Sequence, residues 1–210
     1  MLNKTRAVVL KTTNYSESSL VAQLYTEHFG MQSYLITGAR KPKAKIKANI
    51  LQPLHLLEIV ATHKDNGSLQ RISEARQAPA LQEIPYDIVK SSLALFLNEI
   101  LYKILKEQEH DSFLFEFIHQ SILWLDQSHS NLANFHLVFL IKLTRFLGFY
   151  PAKSKQVLPY FNLHEATFSD SLPEHPLVLQ EPHTSIFRNL IDSEYSNCDR
   201  IKMSSSDRQF

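Results

Sequence analysis

The first 76 residues alternate between short apolar runs and polar breaks, which is the pattern of a chain of β-strands. Polar stretches such as NYSES and KDNGS separate five runs rich in Leu, Tyr or β-branched residues, namely RAVVLKTT, SLVAQLYTE, MQSYLITGA, LHLLEIVATH and LQRISEAR. We expect turns at Gly30 and at the DNG segment Asp65–Gly67. Five short strands favour a small closed barrel, and the five-stranded OB fold commonly binds nucleic acid.

After Pro85 the apolar positions recur every three or four residues, which is the period of amphipathic helices. One helix is predicted from Asp87 to about Glu107, a second from Asp111, and a third from about Asn131 to Gly148, where Pro151 blocks continuation. The predicted buried positions of these helices are Val89, Leu93, Phe96, Leu97, Ile100, Leu101, Ile104, Leu105, Leu114, Ile118, Ile122, Leu125, Phe135, Val138, Phe139, Leu143, Phe146 and Leu147.

The last 60 residues are less regular. YFNLHEATF predicts a short hairpin, a helix is expected near Thr184–Ile191, and MSSSDRQF has the N-cap residues of another helix start. The predicted fold class is therefore α+β with two domains. Residues 1–80 form a five-stranded OB-fold barrel and residues 81–210 form an all-α helical domain, which we expect to continue beyond Phe210 as a helical tail.

Charge divides the chain in the same place. The formal net charge is only +1, but residues 1–76 carry eleven Lys and Arg against five Asp and Glu, and the remainder carries eleven against sixteen. This asymmetry indicates a basic module for a polyanion joined to an acidic module. The segment GARKPKAKIKANILQP, between the third and fourth strands, contains no acid and five basic residues, which are Arg40, Lys41, Lys43, Lys45 and Lys47.

A solvated surface loop is the plain interpretation of that segment, and a phosphate-binding loop is the functional one. Further basic residues are expected on the same face of a small barrel, and these are Lys4, Arg6, Lys11, Lys64 and Arg71. Five phosphate contacts with a single strand predict that log K falls with log salt by about 3.5. The same 76 residues hold only four aromatic residues, Tyr15, Tyr25, Phe29 and Tyr34, so stacking is limited and sequence preference should be weak.

The sequence contains none of the catalytic or cofactor-binding motifs considered. The four glycines are too far apart for a nucleotide-binding loop, no HxxH or HExxH pattern occurs, and a single cysteine, Cys198, builds no zinc site. No cofactor or metal is expected. The chain has neither a signal-peptide pattern nor an apolar run of about 18 residues, so a cytosolic protein without a membrane partner is expected.

Lys142 and Arg145 interrupt the third helix, either as a solvated flank or as a positive rim beside an apolar groove for an acidic, apolar peptide.

These residues resemble a known family. The segment from Lys4 to Ile59, with Lys11, the YSESS turn, Gly38 and the basic run before LQPL, is similar to the amino-terminal region of the RecO family, and FLIKLTRFLGFYP is similar to its helical pattern. The resemblance implies an OB domain that binds single- and double-stranded DNA and anneals complementary strands in the bacterial cytoplasm, at the nucleoid when bound to DNA. It implies work with RecR to load RecA onto DNA covered by single-strand-binding protein (SSB).

In that family the helical domain is expected to receive the acidic carboxyl-terminal tail of SSB, and Lys142 and Arg145 are the candidates for the charge pairing. Some members hold zinc with cysteines after the LGF segment. YPAKSKQVLPYFNLHEATF has no cysteine, so we expect no zinc and a hairpin held by apolar packing.

The leading hypothesis is a non-enzymatic DNA-binding and annealing mediator of recombinational repair. Two alternatives remain open: an RNA-binding OB protein that uses the same basic surface, and a protein-interaction adaptor whose basic run serves solubility alone. An enzyme is a remote third alternative, since no motif supports a reaction.

Overall fold

The five predicted strands are present and close into one barrel. They are β1 Leu2–Asn14, β2 Leu20–Thr26, β3 Gly30–Ile36, β4 Leu56–Thr62 and β5 Gln70–Gln77. Around the barrel the order is β1-β2-β3-β5-β4, with β4 beside β1, and every neighbouring pair is antiparallel except β3 and β5. This closed five-stranded barrel confirms the prediction and is consistent with the OB fold.

The computed structural model describes residues 2–64, 69–105, 110–154, 156–204 and 207. The chain divides into two compact units, Met1–Ser128 and His129–Phe210. Gly30 takes a φ of 61° at the predicted turn, whereas the predicted DNG turn at residues 65–67 lies outside the described residues. The predicted domain boundary between residues 80 and 81 stays a prediction.

Two helices complete the first unit, α1 Ile88–Ile104 and α2 Ser112–Gln127. Both begin where the sequence predicts, because Asp87 and Asp111 each accept two backbone N–H hydrogen bonds of the first helical turn. The predicted end of α1 near Glu107 lies outside the residues with described structure. Val89 and Phe96, which were predicted to be buried on α1, are instead exposed.

Strand β1 is buried on both sides. Ala7 and Val9 belong to the core inside the barrel, and Val8 and Leu10, on the alternate side of the strand, are buried as well. Helix α1 packs against β1, and Asn98 of α1 donates a hydrogen bond of 2.9 Å to the Leu10 carbonyl. The barrel and the first two helices therefore share one folded unit.

The second unit contains two helices and a small sheet. The helices are α3 Phe135–Leu143 and α4 His183–Ile191, and the strands are β6 Tyr160–Asn162, β7 Thr167–Ser169 and β8 Val178–Leu179. The β6–β7 pair is the predicted hairpin, and β8 adds a third strand that the sequence did not predict. α3 begins and ends inside its predicted span. It ends early because the backbone tightens into i→i+3 hydrogen bonds after Leu143. Gly148 has the left-handed conformation expected of it, with φ of 82°.

Aromatic packing holds the hairpin. The ring of Phe161 is buried and lies 4.8 Å from the ring of Phe168 and 4.6 Å from the ring of Phe187 on α4, measured between centroids. Near the end of the chain, Ser204 and Asp207 exchange hydrogen bonds, which is the capping-box arrangement of a helix start. The rest of the helix predicted from MSSSDRQF falls outside the described part of the chain.

Candidate nucleic-acid interface

Residues 38–47, called here the basic loop, connect β3 to the short 3-10 helix Ala48–Ile50. Two small or apolar side chains, Ala39 and Ile46, point into the barrel core and are buried. The five basic side chains between and beside them are all exposed, and they are Arg40, Lys41, Lys43, Lys45 and Lys47. The loop thus turns its apolar residues inward and its whole positive charge toward solvent.

Backbone hydrogen bonds fasten both ends of the basic loop. The Ala48 N–H donates to the Ala39 carbonyl over 3.2 Å, and the Arg40 N–H donates to the carbonyl of Ser18 in the β1–β2 turn over 3.2 Å. Gly38 opens the loop with φ of 72°, a conformation in which a residue with a side chain is strained. Because its path is fixed, the loop loses little backbone entropy when it binds a ligand.

The start of β5 brings two more predicted cations close to the basic loop. Arg71 is in register with Leu35 of β3, just before that loop begins. Lys64 and Arg71 line one cleft of about 390 Å³, together with Thr62, Leu69 and Gln70. Among the described residues, neither Lys64 nor Arg71 forms an ion pair.

Two glutamates hold other cations on this side of the barrel. Glu58 of β4 lies between Lys4 of β1, at 3.0 Å, and Arg76 of β5, at 2.6 Å. Hydrogen bonds from Lys4 and Arg76 lower the pKa of the Glu58 carboxyl. In the basic loop, the Lys45 ammonium lies 3.2 Å from the carboxylate of Glu74 on β5.

We name this surface the basic face. Among the residues that the structure describes, its cations are Lys4, Arg40, Lys41, Lys43, Lys45, Lys47, Lys64, Arg71 and Arg76, and its carboxylates are Glu58 and Glu74. Arg76 was not among the residues predicted from the sequence, and its place follows from the barrel register, which pairs it with Glu58 on the neighbouring strand. Cations exceed carboxylates by seven, so the face remains strongly positive after its ion pairs are counted.

Arg6 and Lys11, also predicted to bind DNA, face the helices of the first unit. The Arg6 guanidinium donates to both carboxylate oxygens of Glu27, at 2.9 and 2.7 Å, and to Glu116 of α2, at 2.8 Å. The Lys11 ammonium lies 3.5 Å from the hydroxyl of Tyr102 on α1 and 4.9 Å from its ring centroid. The structure therefore does not bring these two predicted residues together with the basic loop.

The contact between Arg6 and Glu27 perturbs both groups. The hydrogen bond to Glu27 raises the pKa of Arg6, and the hydrogen bond from Arg6 lowers the pKa of Glu27. Arg6 also stacks over the ring of Phe115, 5.2 Å from its centroid. Its role in the isolated chain is to join β1, the β2–β3 turn and α2.

Few barrel aromatics are available for stacking on bases. Tyr34 is buried in the barrel core, and Tyr25 is buried against α2, with its ring centroid 6.1 Å from that of Phe115. Phe29 stacks on His63 with ring centroids 4.0 Å apart. Tyr15 is 63% exposed and lies in the β1–β2 turn to which the basic loop is bonded. The geometry thus leaves Tyr15 as the aromatic side chain best placed beside the basic loop.

In the second unit, the two cations predicted to meet a partner are already in contact with other side chains. The Lys142 ammonium lies 2.6 Å from the Glu194 carboxylate and 5.7 Å from the ring centroid of Tyr195. Arg145 lies just after α3 and places its guanidinium 4.5 Å from the ring centroid of Tyr150. Lys142 is mostly covered, whereas Arg145 is exposed.

An apolar pocket of about 170 Å³ lies between α3 and α4 in this second unit. Its apolar lining consists of Leu137, Leu140, Ile141, Leu179, Ile186, Phe187, Leu190 and Met203. His183 and Asp207 complete it, with the His183 imidazole Nε2 3.4 Å from a carboxylate oxygen of Asp207. Ile186 also borders a polar cleft of about 440 Å³ that contains Arg200 and Lys202. These two cations, which are separated by one residue in DRIK, were not predicted from the sequence.

The described residues contain no group of His, Cys, Asp and Glu side chains suited to hold a metal ion. Cys198 is buried, and burial raises the pKa of its thiol, which makes it a poor nucleophile. Within the described ranges, no helix has the length and apolar character needed to cross a membrane.

Comparison with known proteins adds an independent line of evidence. Sequence models of two family regions match the chain, "Recombination protein O N terminal" over residues 1–79 and "Recombination protein O C terminal" over residues 85–209. Proteins named DNA repair protein RecO are similar along nearly its whole length. The one from Flavobacterium psychrophilum is 37% identical over 208 residues, covering 98% of this chain and 86% of the relative. The one from Bacteroides fragilis is 39% identical over 210 residues, covering 99% and 87%.

Proposed function

The chain belongs to the RecO family of DNA repair and recombination proteins, and from that premise we propose that it binds single- and double-stranded DNA through the basic face. It does so without catalysing a reaction. The observation that supports this proposal is the basic loop, whose five cations are exposed and which follows the part of β3 that pairs with Arg71, the residue that shares a cleft with Lys64.

Phosphate contacts account for the expected mode of binding. Lysine and arginine on an exposed surface neutralise backbone phosphates and release counterions, so affinity falls steeply with salt. Phosphates carry no sequence information, and single and double strands both present them. With Tyr15 as the best-placed ring, a modest preference for single strands and little choice of sequence are expected.

Annealing follows from the same electrostatics. Two complementary strands repel each other through their phosphates, and a surface with seven excess positive charges lowers that repulsion when it holds one strand or both. Base pairing then selects the partner, and no nucleotide hydrolysis is needed. We further propose that, with RecR, the protein helps to load RecA onto single strands covered by SSB in the bacterial cytoplasm.

The second unit is proposed to receive the acidic tail of SSB. An apolar side chain of such a tail fits the pocket between α3 and α4, and its acidic residues fit the adjoining cleft at Arg200 and Lys202. Arg145 remains a candidate because it is exposed, and Lys142 must first leave Glu194. The Asp207 carboxylate at the pocket repels the acidic residues of the tail. This repulsion favours an orientation of the tail in which its acidic residues lie toward Arg200.

Strand annealing at several salt concentrations, with and without SSB, tests the proposal. The wild-type chain should speed annealing of both naked and SSB-covered strands. Lys41→Glu/Lys43→Glu/Lys47→Glu should abolish both activities, because it reverses three exposed cations that form no ion pair among the described residues. Ile186→Glu should spare naked strands and lose only the SSB-covered reaction, because it places a charge in the apolar pocket. Unaffected annealing by the triple variant would refute the DNA-binding assignment.

RNA binding is the competing possibility for the same surface. Equal-length DNA and RNA oligonucleotides competing for the protein distinguish the two, since the proposal requires that DNA be bound at least as tightly as RNA. Failure to bind either oligonucleotide at low salt would favour a protein-interaction adaptor instead.

A further inference from the structure

Two glutamates stand among the cations of the basic face. Glu58 lies on the middle strand of three and bridges a cation on each neighbouring strand, Lys4 and Arg76. Glu74 lies on the outer side of β5 and holds Lys45 of the basic loop. Three of the nine cations of the basic face are thus already paired with a carboxylate of the protein.

We propose that Glu58 and Glu74 are built-in counter-charges that limit the affinity for DNA, Glu74 by competing with phosphates for Lys45 and Glu58 by reducing the local charge at Lys4 and Arg76. This inference rests on the proposed DNA binding by the basic face. It assigns to two acidic residues a regulatory effect on that site, opposite in sign to the effect of the cations around them.

The ion pair between Glu74 and Lys45 can readily be replaced by a pair between Lys45 and a phosphate. Glu74 is 63% exposed and Lys45 is 72% exposed, and exposed ion pairs of this kind contribute little to stability. A phosphate can therefore replace the carboxylate as the partner of Lys45 at small cost. After the exchange, the carboxylate stays beside the phosphate, and repulsion between unit charges about 6 Å apart in water reduces affinity about threefold.

Glu58 is held more firmly than Glu74. Its side chain is 23% exposed and receives both Lys4 and the guanidinium of Arg76. Since both cations share one carboxylate, the trio retains a single positive charge, and a phosphate is attracted to it without having to displace Glu58. Glu74 therefore acts chiefly by occupying a cation, and Glu58 chiefly by reducing local charge.

Such counter-charges suit an annealing surface. A strand bound by many unopposed cations dissociates slowly, and a duplex that stays bound after pairing keeps the surface from annealing another pair of strands. Carboxylates that compete for part of the surface weaken the complex and permit exchange of bound strands, while the unpaired cations of the basic loop still attract the backbone.

Glu74→Gln tests the inference, with Glu99→Gln as its matched control. Glu99 forms an equally exposed pair with Lys103 on α1, 2.7 Å apart, and neither residue belongs to the basic face. At low salt, Glu74→Gln should bind a single-stranded oligonucleotide three- to tenfold more tightly than wild type. Its slope of log K against log salt should steepen by about 0.7, because Lys45 becomes one more phosphate contact. Glu99→Gln should stay within twofold of wild type.

A double variant separates competition from simple repulsion. In Lys45→Ala/Glu74→Gln the extra slope should vanish, because the released cation is missing. If Glu74→Gln binds no more tightly than Glu99→Gln while the wild type binds DNA, the inference is overturned and the proposed function stands. If the extra slope survives in the double variant, Glu74 does not compete for Lys45, and the inference fails on that point. If the wild type binds no DNA, the proposed function itself fails.

Discussion

The barrel presents two sets of cations with opposite environments. The basic loop carries five side chains that are exposed, on a backbone fastened to the barrel core. Arg6, on β1, is bonded instead to Glu27 and Glu116 and covered by Phe115. One set is available to a ligand and the other joins secondary-structure elements of the protein itself.

The difference shows that position within the fold decides what a basic residue does. Arg6 lies on β1 within reach of the β2–β3 turn and of α2, so its charge meets two carboxylates at once. The basic loop leaves the barrel between β3 and β4, and within the described ranges it meets a single carboxylate, Glu74, through one of its five cations. The lysines at positions 4 and 45 lie between these extremes, since each is paired and yet about two-thirds exposed or more.

Reversing charge in the basic loop should produce the largest effect on DNA binding. Lys43→Glu/Lys47→Glu should weaken DNA affinity about a hundredfold at low salt, since loss of two charge-assisted contacts amounts to about 3 kcal/mol. The matched control is Lys103→Glu/Lys153→Glu, which reverses two cations about two-thirds exposed and outside the basic face. Fluorescence anisotropy with a labelled oligonucleotide measures both. Equal losses in the two variants would mean that net charge alone governs binding.

Arg6→Ala should produce the opposite profile, with a loss of stability and little loss of affinity. It leaves Glu27 and Glu116 without their shared partner, and we expect the free energy of unfolding to fall by about 1–2 kcal/mol, allowing for solvent screening. DNA affinity at a temperature where the variant is folded should change less than threefold. A hundredfold loss of DNA affinity with an unchanged free energy of unfolding would instead identify Arg6 as a DNA-binding residue.

The same contact gives the stability a pH dependence. The pKa of Glu27 is lowered below its ordinary value of 4.5 in the folded chain, so its contribution is complete above pH 4.5 and is lost as pH falls through the folded pKa. Urea unfolding between pH 6 and pH 3 should therefore show a smaller acid loss in Arg6→Ala than in the wild type. Parallel curves for the two proteins would contradict this assignment.

Tyr15→Ala should produce the smallest effect and distinguish the two forms of DNA. A stacked base is worth about 1 kcal/mol at the low end of measured values, so single-strand affinity should fall about fivefold. Duplex affinity should be unchanged, because paired bases are not offered to the ring. An equal loss for both forms would assign Tyr15 to the fold of the β1–β2 turn, where its N–H donates to the Ser19 carbonyl.

The sequence predicted the strands, the first two helix starts and the place of the basic loop because those features depend on local patterns. Alternation defines a strand, and Asp87 and Asp111 can cap helices through their own following residues. The fate of each cation depends on residues distant in the chain, such as Glu116, which is 110 positions from Arg6. No local pattern carries that information.

Other differences have the same cause. α3 begins at Phe135, not near Asn131, and its hydrogen bonding changes after Leu143, where tertiary packing overrides the apolar period. β8 has only two residues and depends on pairing with β6, so it has no pattern of its own. The position of Arg76 on the basic face depends on the barrel register, and the position of Arg200 in its cleft depends on the fold of the second unit. Neither position can be predicted from the local sequence.

The central claim is that the cations of the basic loop hold DNA through its phosphates, and the salt dependence of affinity tests it most directly. Binding of a single-stranded oligonucleotide, measured from low to moderate salt, should give a slope of log K against log salt of about −3.5 for five contacts, those of Arg40, Lys41, Lys43, Lys47 and Arg71, while Lys45 is paired with Glu74. In Lys43→Glu/Lys47→Glu the slope should become shallower by about 1.4. A wild-type slope shallower than about −1, or a slope that the double variant leaves unchanged, would contradict the claim.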